Sequence, residues 1–192
     1  RLSHRELLKL KLGGEEAGAL DVERVRAVRA AAPHARLIAD ANQGWAGCDI
    51  ERLCGFLHGL GVELIEQPLP TGADADLAHV ASAVPLAADE SCQTRADLDR
   101  VVGRYRFVNV KLDKAGGLTE ALALIHAATF RGLGIMTGCM LSTSLGVAPA
   151  FFAAMHGAYA DLDGPLLLRE DAVPGLAFSG SDVHPPEPAL WG

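Results

Sequence analysis

The chain has 192 residues, 49% apolar and 21% charged, ordinary globular usage and long enough for one domain with a sizeable core. Its net charge of −7 argues against a nucleic-acid or polyanion surface, which needs a basic excess. No apolar run reaches the roughly 18 residues of a membrane span, and RLSHRELLKLKLGG has no signal-peptide h-region. The four cysteines, Cys48, Cys54, Cys92 and Cys139, form no CxxC pair, so zinc and disulfide frameworks are disfavoured and a reducing, cytoplasmic setting is expected.

In chain order, Leu7–Leu12 alternates apolar residues with lysine and reads as a strand with Lys9 and Lys11 on one face. Asp21 opens DVERVRAVRAAAP, with Val22, Val25 and Val28 at helical spacing and Pro33 closing. Arg36–Asp40 is a short buried strand, and Asp49–Gly59 a helix with Ile50, Leu53 and Leu57 on one face. Val62–Ile65 is a strand, Asp74–Val84 a short helix and Pro85–Ala88 a strand. Thr94 caps TRADLDRVVG, with Asp97 as its capping-box partner. Phe107–Val110 is a strand, and Gly117 leads into an amphipathic helix, LTEALALIHAATFRG. Leu133–Met136 is a strand, Thr143–His156 a buried helix despite Pro149, and Tyr159–Leu162 the last strand. The proline-rich tail, 165–192, is expected to pack irregularly on the barrel or on a capping domain.

The strand-like runs end at Lys11, Asp40, Glu66, Asp89, Lys111, Thr137 and Asp161, at intervals of 29, 26, 23, 22, 26 and 24 residues. One βα unit takes about 25–30 residues, so this is a βα rhythm. Crossovers too long for hairpins imply a parallel sheet, and the recurring polar ends favour an α/β barrel over an open doubly wound sheet. Neither GxGxxG after a strand nor a Walker motif is found. A complete (β/α)8 barrel takes about 250 residues, so residues 1–164 are expected to lack an N-terminal part.

In such barrels chemistry sits at the C-terminal strand ends. Asp40, Glu66 and Asp89 each follow an apolar strand, and three neighbouring carboxylates repel one another unless a cation neutralises them. Hard oxygen donors suit Mg²⁺, with Mn²⁺ as a substitute; singly, each could be a helix cap. Lys9 and Lys11 are costly in a covered sheet unless paired, and would be unremarkable on an edge strand. Lys111 follows FVNV on the same rim; a lysine there is a general base or a surface residue. Asp161 and Asp163, two apart, suit a cationic substrate group or cap the turn before Gly164.

The segments KLK (Lys9–Lys11), DANQGW (Asp40–Trp45), EQPL (Glu66–Leu69), DES (Asp89–Ser91), NVKLDKAGG (Asn109–Gly117) and TGCML (Thr137–Leu141) resemble the enolase superfamily, in its muconate lactonizing enzyme subgroup. DLDGPLLL (Asp161–Leu168) is similar to dipeptide epimerases of the L-Ala-D/L-Glu type. The resemblance implies a modified (β/α)7β TIM-like barrel, here without its first strand and the N-terminal α+β capping domain, so that the chain carries strands 2–8. It implies Mg²⁺ held by Asp40, Glu66 and Asp89. It makes Lys11 and Lys111 acid/base catalysts on opposite faces of the substrate carbon, with Lys9 stabilising the enediolate. Asp161 and Asp163 would hold a dipeptide α-ammonium, and a homo-oligomer is expected. The chain departs from many relatives at Ser142, where they carry Glu.

The expected reaction is a two-lysine 1,1-proton transfer. N-acylamino acid racemase, o-succinylbenzoate synthase and muconate cycloisomerase use similar lysines on substrates without a free α-ammonium. An inactive barrel fragment is the non-enzymatic alternative, and a Schiff-base aldolase on Lys111 sits poorly with three carboxylates.

Overall fold

The computed structural model describes residues 5–14 and 17–192. It contains two compact units, one holding the described residues up to Ser91 with Arg100–Phe107, the other Cys92–Asp99 and Val108–Gly192.

The first unit carries β1 (Leu7–Lys11), α1 (Ala19–Ala31), β2 (Arg36–Asp40), α2 (Ile50–Gly59), β3 (Val62–Glu66) and β4 (Leu86–Ala88). The four strands are parallel and pair in chain order, with Lys11 level with Asp40 and Asp40 level with Glu66. A slip between Leu37 and Ile38 sets that last register. Leu37, Ile38, Leu64 and Ile65 are buried in β2 and β3, and Val25, Leu53 and Leu57 are buried on the helices. Such nearly continuous apolar strands are expected of a sheet covered on both faces.

Two polar devices tie this unit together. Asp21, fully buried at the start of α1, accepts hydrogen bonds from Trp45 Nε1 (2.8 Å), Gly13 N (3.0 Å) and Arg24 Nη1 (2.8 Å). It thereby joins the loops that follow β1 and β2. Those loops meet backbone to backbone: a Cβ on Gly44 would lie 2.7 Å from Gly13 Cα, and one on Gly13 2.4 Å from Ala41 O. At the other end, Arg29 donates to Leu60 O (2.9 Å) and to Ala35 O.

The second unit contains most of β5 (Phe107–Val110), then α4 (Leu112–Ala115), α5 (Leu118–Phe130), β6 (Gly134–Gly138), α6 (Ser144–Ala154) and β7 (Tyr159–Asp161). β6 and β7 are parallel, with Gly138 level with Asp161. α5 buries Ala121, Leu124, Ile125 and Ala128, the 3-to-4 spacing read from the sequence.

The main differences from the sequence reading are local. The short helix expected at Asp74–Val84 is a 3-10 helix that ends at His79. The TRADLDRVVG segment is a 3-10 turn, Arg95–Asp97, followed by the short α3 (Leu98–Val101), although Asp97 does accept from Thr94 N at 2.9 Å. β6 runs two residues further than expected and so includes Thr137 and Gly138. The tail is not wholly irregular: Gly164–Leu167 is a 3-10 turn, and β8 (Phe178–Ser179) pairs antiparallel with β9 (Asp182–Val183). Asp171 anchors it, accepting from Ser144 N (2.6 Å) and from the Ser144 hydroxyl.

Candidate active site

In the first unit the expected residues come together at the strand ends. Lys11, Asp40 and Glu66 occupy one level across β1, β2 and β3, and register partners in a parallel sheet direct their side chains to the same face. Lys9 lies two residues back on that face. Its ammonium bridges Glu66 Oε2 (2.8 Å) and Asp40 Oδ2 (3.4 Å), while Lys11 Nζ sits 2.6 Å from Asp40 Oδ2. The two lysines differ in setting: the Lys9 side chain is 9% exposed and that of Lys11 63%. The edge-strand reading of both as solvated surface lysines therefore fails for Lys9.

Asp40 is further fixed by Asn42 N, which donates to Oδ1 at 2.9 Å. Burial pushes the Glu66 carboxyl up to about 7; Lys9 pulls it down, and the charges of Asp40 and Asp89 push it up again. Three acids are thus close enough to feel one another in a place that water does not screen. Their charge is shared with two ammoniums, and among the described residues no three acid, imidazole or thiol groups are gathered as a ready ligand set.

Asp89 follows β4, and its backbone is held by a residue whose role the sequence reading did not single out. Gln67, fully buried, receives Asp89 N (2.8 Å) and Ser91 N (3.1 Å) on Oε1. Its Nε2 faces Leu69 O (2.8 Å), Ser91 Oγ (2.8 Å) and Tyr105 Oη (3.0 Å). Tyr105 Oη in turn donates to Asp74 Oδ2 at 3.3 Å, and burial raises its pKa far above the ordinary phenol value. Gln67 takes φ of 38°, and Asn42 and Gln43 are also in the left-handed region, at 46° and 63°. Non-glycine residues held there cost about 1–3 kcal/mol each and cluster at functional sites. The sequence signal available was the glutamine between Glu66 and Pro68 in EQPL.

In the second unit Lys111 immediately follows β5 and caps α4. Asp161 ends β7, Asp163 precedes the 3-10 turn, and Thr137 is fully buried in β6 with its hydroxyl lacking a hydrogen-bond partner. Cys139 reports on the neighbourhood. Burial pushes its thiol up to about 11, opposed by a hydrogen bond from the Gly164 backbone; Asp161 and Asp163 push it further up and Lys111 pulls it down. Lys111, Asp161 and Asp163 are thus within electrostatic reach of one thiol.

A family model described as "Enolase C-terminal domain-like" matches residues 5–188. The chain belongs to that family, in the enolase superfamily, and is of its α/β, TIM-like barrel class. Among curated proteins it is 44% identical over 186 residues to N-acetyl-D-glutamate racemase of a Pseudoalteromonas species, covering 97% of this chain and 58% of that one. It is 45% identical over 179 residues to L-Ala-D/L-Glu epimerase of Escherichia coli K12, covering 93% and 54%. A crystal structure of an enolase family member from Agrobacterium tumefaciens, homologous to dipeptide epimerases and holding sodium and L-Ala-L-Glu, superposes with a TM-score of 0.94 at 52% identity, covering 99% and 57%. A dipeptide epimerase from Cytophaga hutchinsonii, with Mg and D-Ala-L-Val, superposes at 0.86 with 29% identity, covering 96% and 52%. The chain therefore spans a little over half the length of these relatives. No helix among the described residues is long and apolar enough to cross a membrane.

Proposed function

We propose that this chain carries the catalytic rim of a Mg²⁺-dependent dipeptide epimerase acting on L-Ala-D/L-Glu-like substrates. The observation that supports it most is the row Lys11–Asp40–Glu66 with Lys9 beneath, acids and ammoniums interlocked at consecutive parallel strand ends. Structural ion pairs seldom need so many buried charges, whereas a site for an anionic substrate and a cation does.

The donor chemistry fits a hard divalent ion. Asp40, Glu66 and Asp89 supply carboxylate oxygens, and the Glu66 pKa is raised first by burial and then by the charges of Asp40 and Asp89, both of which a cation would offset. When bound, Mg²⁺ supplies positive charge for the substrate carboxylate as its α-carbon loses a proton. The rest is the work of this chain's side chains. Lys9 adds a fixed ammonium, already held between Asp40 and Glu66. Lys11 and Lys111 are the two bases, each as a neutral amine taking the α-proton from one configuration, while the other as an ammonium returns one. A 1,1-proton transfer that inverts a centre needs two such similar groups, because their roles exchange in the reverse direction. Asp161 and Asp163 hold the dipeptide's α-ammonium.

A second reading, racemisation of an N-acylated amino acid, is favoured by the 44% identity to N-acetyl-D-glutamate racemase. Such a substrate has no ammonium for Asp161 and Asp163. Proton NMR of the full-length protein in D2O, with Mg²⁺ and either L-Ala-L-Glu or N-acetyl-L-glutamate, separates the two. Deuterium entering the glutamyl α-position of the dipeptide supports epimerisation; turnover confined to the N-acetyl substrate would overturn it.

A further inference from the structure

Gly138 closes β6, level with Asp161 on β7. It is buried, and its φ lies outside the left-handed range, so no turn geometry requires glycine there. Space requires it. A Cβ at Gly138 would lie 2.8 Å from Asn109 Oδ1, 3.0 Å from Asn109 Nδ2 and 3.0 Å from Lys111 Cε. Carbon contacts are ordinarily about 3.5–4.0 Å, so the side chains must give way. Asn109 is fully buried and has little room to retreat. The contact with Lys111 falls at Cε, near the end of a long side chain, which shifts at less cost. Asn109 and Lys111 are two residues apart and share a face. Their side chains occupy the room directly over Gly138, on the row that leads to Asp161.

We propose that Gly138 is a positioning residue for Lys111: its missing Cβ is the slot across which the lysine stem lies over β6, with the Asn109 amide as the slot's inner wall. A methyl group at 138 would lift or turn the stem and carry the amine away from the substrate α-carbon. A displacement near 1 Å can cost about 10²-fold in rate. The inference rests on Lys111 being a base, and it predicts a signature that general destabilisation does not produce. Only the proton transfers handled by Lys111 should slow.

The test is deuterium uptake in D2O by the full-length protein with Mg²⁺, measured separately from L-Ala-L-Glu and L-Ala-D-Glu. The unaltered protein, Lys11→Ala, Lys111→Ala and Gly138→Ala are compared. Lys111→Ala identifies the configuration that Lys111 serves. Gly138→Ala should slow exchange of that same configuration by about 10²-fold and leave the other within about threefold. An equal fall for both configurations, or no fall, overturns the slot. If Gly138→Ala does not fold, Asn109→Ser/Gly138→Ala is compared with Asn109→Ser, since shortening the wall makes room for the methyl group; the same asymmetry supports the inference and its absence overturns it. Exchange of neither dipeptide by the unaltered protein would instead overturn the epimerase reading, and this inference with it.

Discussion

The two units set their lysines in different surroundings. In the first unit Lys9 and Lys11 are held by charge, on carboxylates at 2.6–3.4 Å whose strands are cross-tied by Gln67 and Asp21. In the second, Lys111 lies against a glycine and a buried amide, near a thiol that also feels Asp161 and Asp163. Attraction fixes a charged group firmly but ties its protonation to its neighbours. Shape fixes the stem and leaves the amine to be governed by what it faces.

The largest test of the contrast is Glu66→Gln. It removes an acid that Lys9 and its neighbours depend on, and should abolish the rise in thermal midpoint produced by added Mg²⁺. In the unaltered protein a ligand at a hundred times its Kd adds about 2.7 kcal/mol. An undiminished Mg²⁺-dependent shift in the variant would place the metal elsewhere.

Gln67→Ala comes next. It removes the buried hydrogen bonds that Gln67 makes with Asp89 N, Ser91 N and Leu69 O, while Tyr105 Oη keeps Asp74, and each group left unsatisfied costs about 1–3 kcal/mol. Urea unfolding should show a loss of several kcal/mol, and Mg²⁺ titration a loss in affinity of about 10–100-fold, the usual result of removing a group that orients a ligand. Lost stability with unchanged affinity would make Gln67 a structural clamp only.

In the second unit, Asp161→Ala should raise KM for a dipeptide with a free amine by about 10-fold or more, the effect of one charged hydrogen bond, with little effect for an N-acetylated analogue. Equal effects on both would remove the ammonium role.

The smallest effect concerns the tail. Burial works to raise the Asp171 pKa, but hydrogen bonds from the Ser144 side chain, Ser144 N and Ala172 N outweigh it, and the net shift is downward. A carboxyl with a depressed folded-state pKa stabilises above its unfolded value, near 3.8, and that stability is lost as pH falls through the folded value. The gap in urea midpoint between the unaltered protein and Asp171→Asn should therefore be present at neutral pH and close below about pH 4. A gap that persists in acid would mean the anchor does not depend on the charge.

Much of this was legible in the residues. The alternation in LLKLK, the apolar run before each acid and the interval between strand ends are local patterns, and the strands follow them. The shared face of Lys9 and Lys11 came from a period of two, and both lysines do reach Asp40. What could not be read depends on contacts between distant segments. The Gln67 clamp joins residues 22 to 38 positions apart, and its left-handed backbone has no sequence signature. The slot at Gly138 is defined by a side chain 29 positions away in Asn109, and the strand read from the sequence stopped short of the glycine, at Met136. The short helix expected at Asp74–Val84 is a 3-10 helix that stops at His79, since so short a segment carries less than two periods of pattern to fix its end.

We propose that Lys11 and Lys111 divide the two configurations between them. Deuterium exchange from L-Ala-L-Glu and L-Ala-D-Glu by Lys11→Ala and Lys111→Ala tests it directly. Each variant should lose epimerisation, and each should keep exchange for one configuration, a different one in each variant. Exchange of the same configuration by both, or continued epimerisation by either, would contradict it.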